Sequence, residues 1–260
     1  MREYTPRVSS SNKRQRELAR AKYERQQARH SSPADHKRRN QKIAAIVVVA
    51  VLVLGAVGWI LSRGSSTQAA PALVCNGSTV TTTAPKSFKV APKPDPSITQ
   101  GAQLTLDTNC GPIVISTLAK QAPATVTSEL FLAKQGFYNQ TPCHRLTTSG
   151  IFVLQCGDPT GQGTGGPGYK VPDENLPTSS GVNYPAGTVA MANAGPGTAG
   201  SQFFIVYKDT TLPPNYTIWG KVTSGLDLVQ QIADAGVAGG SGDGAPSQPV
   251  VIEKATVQAA

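Results

Sequence analysis

The chain has 260 residues, a formal net charge of +9, four cysteines and three histidines. Residues 1–42 hold 13 Lys+Arg and 4 Asp+Glu, so the remaining 218 residues, with 11 groups of each sign, are neutral overall. The basic balance is therefore no sign of nucleic-acid binding by the folded part, and a single histidine beyond the tail, with no C-x-x-C pair, argues against zinc.

In chain order, residues 1–42 read as a basic tail. The run "KRQRELARAKYERQQARHSSPADHKRRNQK" has the charge to engage anionic headgroups or a nucleic acid, each cation near a charged membrane contributing on the order of 1 kcal/mol. The plainer reading is preferred: a solvated orientation signal, partly helical at best. Residues 43–61, "IAAIVVVAVLVLGAVGWIL", are 19 uncharged and almost wholly apolar residues. As a helix they would span about 28 Å, the thickness of a bilayer's hydrocarbon core. The basic "HKRRNQK" before them, against Arg63 alone after them, predicts a single-pass anchor in the cell membrane with a cytoplasmic N-terminus. A cleaved signal peptide ending near "APA" at 70–72 fits less well, because both the charged region and the apolar run are too long.

Residues 62–97 are rich in Ser, Thr, Ala and Pro and read as a tether spanning about 30 to 35 Å. Residues 98–260, outside the cell by this orientation, suffice for one domain. "AQLTLDTNCGPIVIST" alternates apolar and polar residues about a Gly-Pro turn, as a hairpin does. "PATVTSELFLAKQG" places Val126, Leu130 and Ala133 on one helical stripe, and "GLDLVQQIADAG" does the same with Leu226, Val229 and Ile232, with Gly136 and Gly236 as stops. "SGIFVLQC", "GTVAMAN", "SQFFIVY" and "YTIWGKV" read as strands. Many short strands and two helices predict a mainly β closed barrel with a helix at each end.

Several chemistries lack their residues. His144 is the one histidine available to a hydrolase triad, and no G-x-S-x-G surrounds any serine. Cys143 and His144 are neighbours on an expected strand and point to opposite faces, so they form no catalytic pair. The G-x-G-x-x-G at Gly161, Gly163 and Gly166 is followed by Pro167 rather than a helix, and reads as a tight surface loop, not a dinucleotide site. No cofactor or metal is implied. What remains is an arginine, Arg145, on an otherwise apolar hairpin, with Gln155 facing it from the second arm. A half-buried guanidinium needs a use for its donors, either a salt-bridge partner or a ligand.

"HRLTTSGIFVLQCGDPTGQGTGGPGY", "GTVAMANAGPGTAGSQFFI" and "TLPPNYTIWGKV" together resemble the cyclophilin family of peptidyl-prolyl isomerases over residues 101–256. The layout of tail, anchor and tether is similar to membrane-anchored bacterial members. The resemblance implies an eight-stranded antiparallel barrel with two capping helices, and rotation of the bond preceding proline in peptides and unfolded chains; with the orientation read above, those chains are extracytoplasmic. It assigns Arg145, Gln155 and Asn193 to catalysis, with Gln155 and Asn193 holding the substrate main chain beside Ala192 and Ala194. It places Phe152, Val153, Phe204 and Leu212 in the proline pocket, beside Tyr216, with Gln202 in support. Strand alternation independently puts Val153 and Gln155 on one face.

The sequence departs from the family between Arg145 and Gln155, where nine residues make a longer connection than usual and leave Phe152's placement open. Val153 replaces the usual methionine, Tyr216 a common histidine, and Thr211 falls near the position where family members carry a tryptophan that helps bind cyclosporin, so weak cyclosporin binding is expected. Cys75, Cys110, Cys143 and Cys156 all fall on the side expected to be oxidising. Cys143 and Cys156 lie on two arms of one hairpin and are placed to bridge, which would leave Cys75 with Cys110, but three pairings are possible and free buried thiols are the alternative. Two other functions compete: a tethered module that binds proline-containing peptides without catalysis, and an anchor whose working end is the basic tail.

Overall fold

Leu104, Leu106, Ile113 and Ile115, apolar positions of the first two alternating runs, are all buried. They share one face of an antiparallel hairpin, β1 (Ala102–Thr108) and β2 (Gly111–Thr117). The turn is Asn109–Cys110, two residues before the expected Gly-Pro. Gly111 and Pro112 belong to β2, where the missing proline N–H is harmless because pairing with the next strand begins only at Val114.

The structure is a computed structural model and describes residues 11–30, 75–77, 85–94, 101–178 and 181–259. The chain divides into two units, Met1–Gln68 and Ala69–Ala260. In the first, α1 (Ser11–His30) takes up part of the basic tail, with Leu18 and Tyr23 exposed and Arg20 paired to Glu24 one turn on at 3.4 Å. The expected membrane segment, 43–61, lies outside the described residues. Among the described residues no helix is long and apolar enough to cross a membrane.

In the second unit α2 (Pro123–Lys134) follows the first hairpin and opens on proline, whose missing N–H has no partner to lose in a first turn. Its buried side includes Val126, Leu130 and Ala133, the expected stripe. Short strands come next: β3 (Thr141–Pro142), β4 (Arg145–Thr147), β5 (Val153–Cys156), β6 (Thr188–Met191), β7 (Phe203–Val206) and β8 (Ile218–Ser224). Then α3 (Leu226–Asp234) buries Val229 and Ile232, and β9 (Asp243–Gly244) and β10 (Val251–Ala259) end the domain.

All strands join one ten-stranded antiparallel sheet in the order β3-β10-β1-β2-β8-β6-β7-β5-β4-β9. The closed eight-stranded barrel expected from the sequence is corrected on both counts: the order is open, and β3 and β9 are two-residue additions. The ladder breaks at Cys143 and His144, because the one segment 141–147 pairs with β10 at its start and with β5 and β9 at its end.

The main core fills one face of this curved sheet, with Leu154, Met191, Phe203, Ile205 and Trp219 fully enclosed. The other face carries a second apolar cluster of Val153, Tyr184, Ala190, Phe204 and Val206. Every residue of β6 and β7 is consequently buried, which explains their continuous rather than alternating apolar runs.

Disulfides join Cys75 to Cys110 and Cys143 to Cys156. Parts of the segment read as a tether are held on the domain instead. The Asn76 N–H donates to the Asn109 carbonyl at 2.9 Å, and Phe88 stacks edge-on against Phe131 at 5.0 Å while its N–H reaches the Pro167 carbonyl at 2.7 Å.

Candidate active site

The second cluster becomes a site through register. Arg145 pairs with Gln155, Gln155 with Phe204, and Phe204 with Ala190, a lateral row across β4, β5, β7 and β6. Residues opposed in an antiparallel ladder project to the same face, so a guanidinium, an amide and an aromatic ring stand side by side. Two residues along, Val153 adds an apolar wall, and the return chain contributes Leu212 and Tyr216. The result is a cavity of about 170 Å³, bounded also by Ile151, Ala192 and Asn193. Phe204 forms its floor, with the Tyr216 ring edge-on at 5.5 Å and the Tyr184 ring at 6.2 Å.

The Arg145 guanidinium is held from two sides. Its Nε and Nη2 each donate to the Asp243 carboxylate at 2.7 Å, and Nη1 donates to Gln155 Oε1 at 3.3 Å. The hydrogen bonding to Asp243, offset in part by burial, pushes the Arg145 pKa still higher, and the same guanidinium holds the Asp243 carboxyl below its ordinary value. The group is a permanent cation. Gln155 is fixed in turn, because its Nε2 donates to Gln202 Oε1 at 3.0 Å and Gln202 Nε2 donates to the Gly165 carbonyl at 2.9 Å. Gly165 lies in the glycine-rich loop, which is organised by Asp158: the carboxylate accepts from the Thr160 N–H at 2.7 Å and the Gly165 N–H at 3.1 Å. A Cβ at Gly165 would strike that carboxylate.

The wall bearing Leu212 and Tyr216 is an irregular loop clamped from below. Asn183 accepts from the Leu212 N–H and donates to its carbonyl at 3.0 and 2.7 Å, and the Tyr184 hydroxyl accepts from the Tyr216 N–H at 3.1 Å. Asn193 Nδ2 donates to the Asn215 carbonyl at 2.7 Å, and Asn193 Oδ1 accepts from the Gly195 N–H at 3.2 Å. Its side chain is thus engaged within the protein at the edge of the cavity.

The structure therefore gathers Arg145, Val153, Gln155, Ala192, Asn193, Phe204, Leu212 and Tyr216 around one cavity. Ala194 and Gln202 border a neighbouring depression of about 350 Å³ that shares Gln155, Ala192 and Asn193. Phe152 is corrected. It faces the main core edge-on to Tyr207 at 6.0 Å, beneath the Lys208 ammonium at 4.5 Å, because strand alternation turns it away from Val153; Ile151 takes the cavity position. Ile151 and three more distant contributors escaped the sequence reading. Asp243 sits in a stretch without periodicity, and Asn183 and Tyr184 act on the wall from beneath, so no spacing marked them.

The model of the cyclophilin type peptidyl-prolyl cis-trans isomerase family matches residues 103–257. A probable peptidyl-prolyl cis-trans isomerase B of Mycobacterium tuberculosis is 49% identical over 168 residues, covering 59% of this chain and 54% of that one. A probable isomerase A of Mycobacterium leprae is 39% identical over 179 residues, covering 62% and 94%. The chain thus spans about half the length of the first of these relatives. A crystal structure of a Cryptosporidium parvum cyclophilin type isomerase superposes with a TM-score of 0.52 at 27% identity, over 62% of this chain and 99% of that one. A second, in the presence of the dipeptide Ala-Pro, gives 0.51 at 28% identity, over 61% and 99%. Matched by the family model over more than half its length, the chain belongs to the cyclophilin-type peptidyl-prolyl cis-trans isomerase family.

Proposed function

We propose that the chain is a peptidyl-prolyl cis-trans isomerase acting on proline-containing peptides and unfolded chains. The observation that carries this is a fixed guanidinium lining, with Val153, Phe204 and Leu212, one cavity of about 170 Å³. Turning an X-Pro bond crosses a barrier of roughly 18 to 20 kcal/mol set by amide resonance. No covalent bond forms or breaks, so neither nucleophile nor metal is required. A ring seated on Phe204 between Val153 and Leu212 would bring its imide nitrogen toward Arg145, whose free edge donates to the lone pair as conjugation is lost. A 10⁵-fold acceleration corresponds to about 7 kcal/mol of preferential transition-state stabilisation. The Gln155 amide and the Asn193 main chain would hold the peptide backbone. The Ala-Pro dipeptide used with the Cryptosporidium relative supports a proline-peptide ligand.

Residues 43–61 are proposed as a single membrane anchor, with residues 1–42 cytoplasmic and the isomerase domain outside, where it would assist folding. Two disulfides favour an oxidising compartment. Protease added to intact cells would digest the domain and spare the tail; the reverse pattern refutes this orientation. Thr211 is exposed at the rim and offers no aromatic face, so cyclosporin inhibition should be weak, and potency equal to that on tryptophan-bearing relatives would contradict it. The isomerase reading is tested by a protease-coupled proline isomerisation assay on the full-length chain in detergent micelles. Acceleration by the wild type and its loss in Arg145→Ala are expected. Peptide binding without acceleration would leave only a tethered binding module.

A further inference from the structure

Arg145 presents five N–H donors in one plane. Asp243 takes the Nε and Nη2 edge with two bonds of 2.7 Å, whereas the Gln155 contact, at 3.3 Å, is long. Arg145 borders the cavity, and the Nη1 side of the group is the one that Asp243 leaves open. We propose that Asp243 is a positioning residue for isomerisation: its carboxylate fixes the plane and reach of the guanidinium so that the opposite edge meets the imide nitrogen of a bound proline. This rests on the isomerase reading above.

Two observations favour positioning over a role in folding. The side chains of Arg145 and Asp243 are 39% and 55% exposed, and ion pairs in that setting contribute little to stability. Asp243 is also tied to the strand that carries Arg145. It pairs with Thr147, two residues along the strand from Arg145, while Gly244 pairs with Leu146 and the Thr148 N–H donates to the Gly242 carbonyl at 2.8 Å. Carboxylate and guanidinium therefore cannot drift apart by loop motion, and the two-point contact leaves the arginine one plane.

The opposing effect gives the proposal its test. A carboxylate beside the guanidinium weakens the positive potential offered to the imide, so if charge alone mattered, removing Asp243 would speed the reaction. If positioning dominates, removal slows it. In the isomerisation assay on the full-length chain, Asp243→Ala is expected to lower kcat/KM about 10-fold, mainly in kcat, and Asp243→Asn, which keeps one acceptor, about 3-fold. In an Arg145→Ala background, Asp243→Ala should change nothing further, a result that a merely structural role would not give. Unchanged or faster turnover in Asp243→Ala, or an equal loss in the Arg145→Ala background, overturns the proposal. Absence of activity in the wild type, or full activity in Arg145→Ala, instead overturns the isomerase reading itself.

Discussion

Arg145 lies directly opposite Gln155 in the β4–β5 ladder, its Nη1 3.3 Å from the amide oxygen. The guanidinium is thus anchored on the sheet rather than on a loop. Replacing it by alanine should lower kcat/KM by about 10²-fold or more, the effect of deleting a donor aimed at developing charge. Arg145→Lys should recover little, because an ammonium keeps the charge but not the planar fork. Steady-state kinetics on both variants check this, and a lysine variant near wild-type rate would sink the geometric argument.

The Phe204 ring is the cavity floor and is 4% exposed. Phe204→Ala should destabilise the domain by about 3 kcal/mol and open a void beneath the proline site. Substrate affinity should fall with it, so KM rises more than kcat declines. Urea unfolding and the kinetic split test the two halves separately; an unaltered KM would place the proline elsewhere.

The Cys143–Cys156 bridge closes a sequence separation of 13 and the Cys75–Cys110 bridge one of 35. Loop-closure entropy assigns them about 3 and 4 kcal/mol respectively. Replacing each pair by alanines should lower the urea midpoint, more so for the longer loop. Both residues of the shorter bridge are almost wholly buried, so reductant should act on it slowly unless denaturant is present. Rapid reduction of the native chain at both bridges would contradict that.

Glu129 is enclosed in α2, where it accepts from the Tyr138 hydroxyl at 2.6 Å through Oε2 while Oε1 has no partner among the described residues. Burial raises its pKa from the ordinary 4.5 to about 8, only partly offset by the tyrosine. Below both values the group is neutral whether the chain is folded or not. Between them the unfolded chain loses the proton and the folded chain keeps it, so its contribution to stability falls as pH rises, by at most about 1.4 kcal/mol per pH unit. Denaturation from pH 5 to 8 should show that decline in the wild type and a flatter profile in Glu129→Gln. Parallel profiles for the two proteins would falsify the assignment.

Much of this architecture could be read before any coordinates. The stripes of α2 and α3 were legible because Val126, Leu130 and Ala133, and Val229 and Ile232, recur at helical spacing against a core. The facing of Arg145 and Gln155 followed from hairpin pairing, and the runs that form β6 and β7 were legible as strands. What escaped was set by contacts remote in sequence. Asp243 is 98 residues from Arg145, in a glycine- and serine-rich stretch with no periodicity. Phe152 was misplaced because a residue count cannot say where a longer turn resumes its alternation, and Gly111–Pro112 looked like a turn although the chain reverses at Asn109–Cys110.

The burial of β7 on both sides has a thermodynamic consequence for ligands. Phe204 cannot shift without disturbing Phe203 and Ile205, which are rooted in the interior on either side of it. On the proposed reading, a docking proline ring would meet a surface already in its final shape, and little ordering entropy would be lost on occupancy. A recess of about 170 Å³ grips scarcely more than that one ring, so encounters should be brief, and a turned-over chain is free to leave.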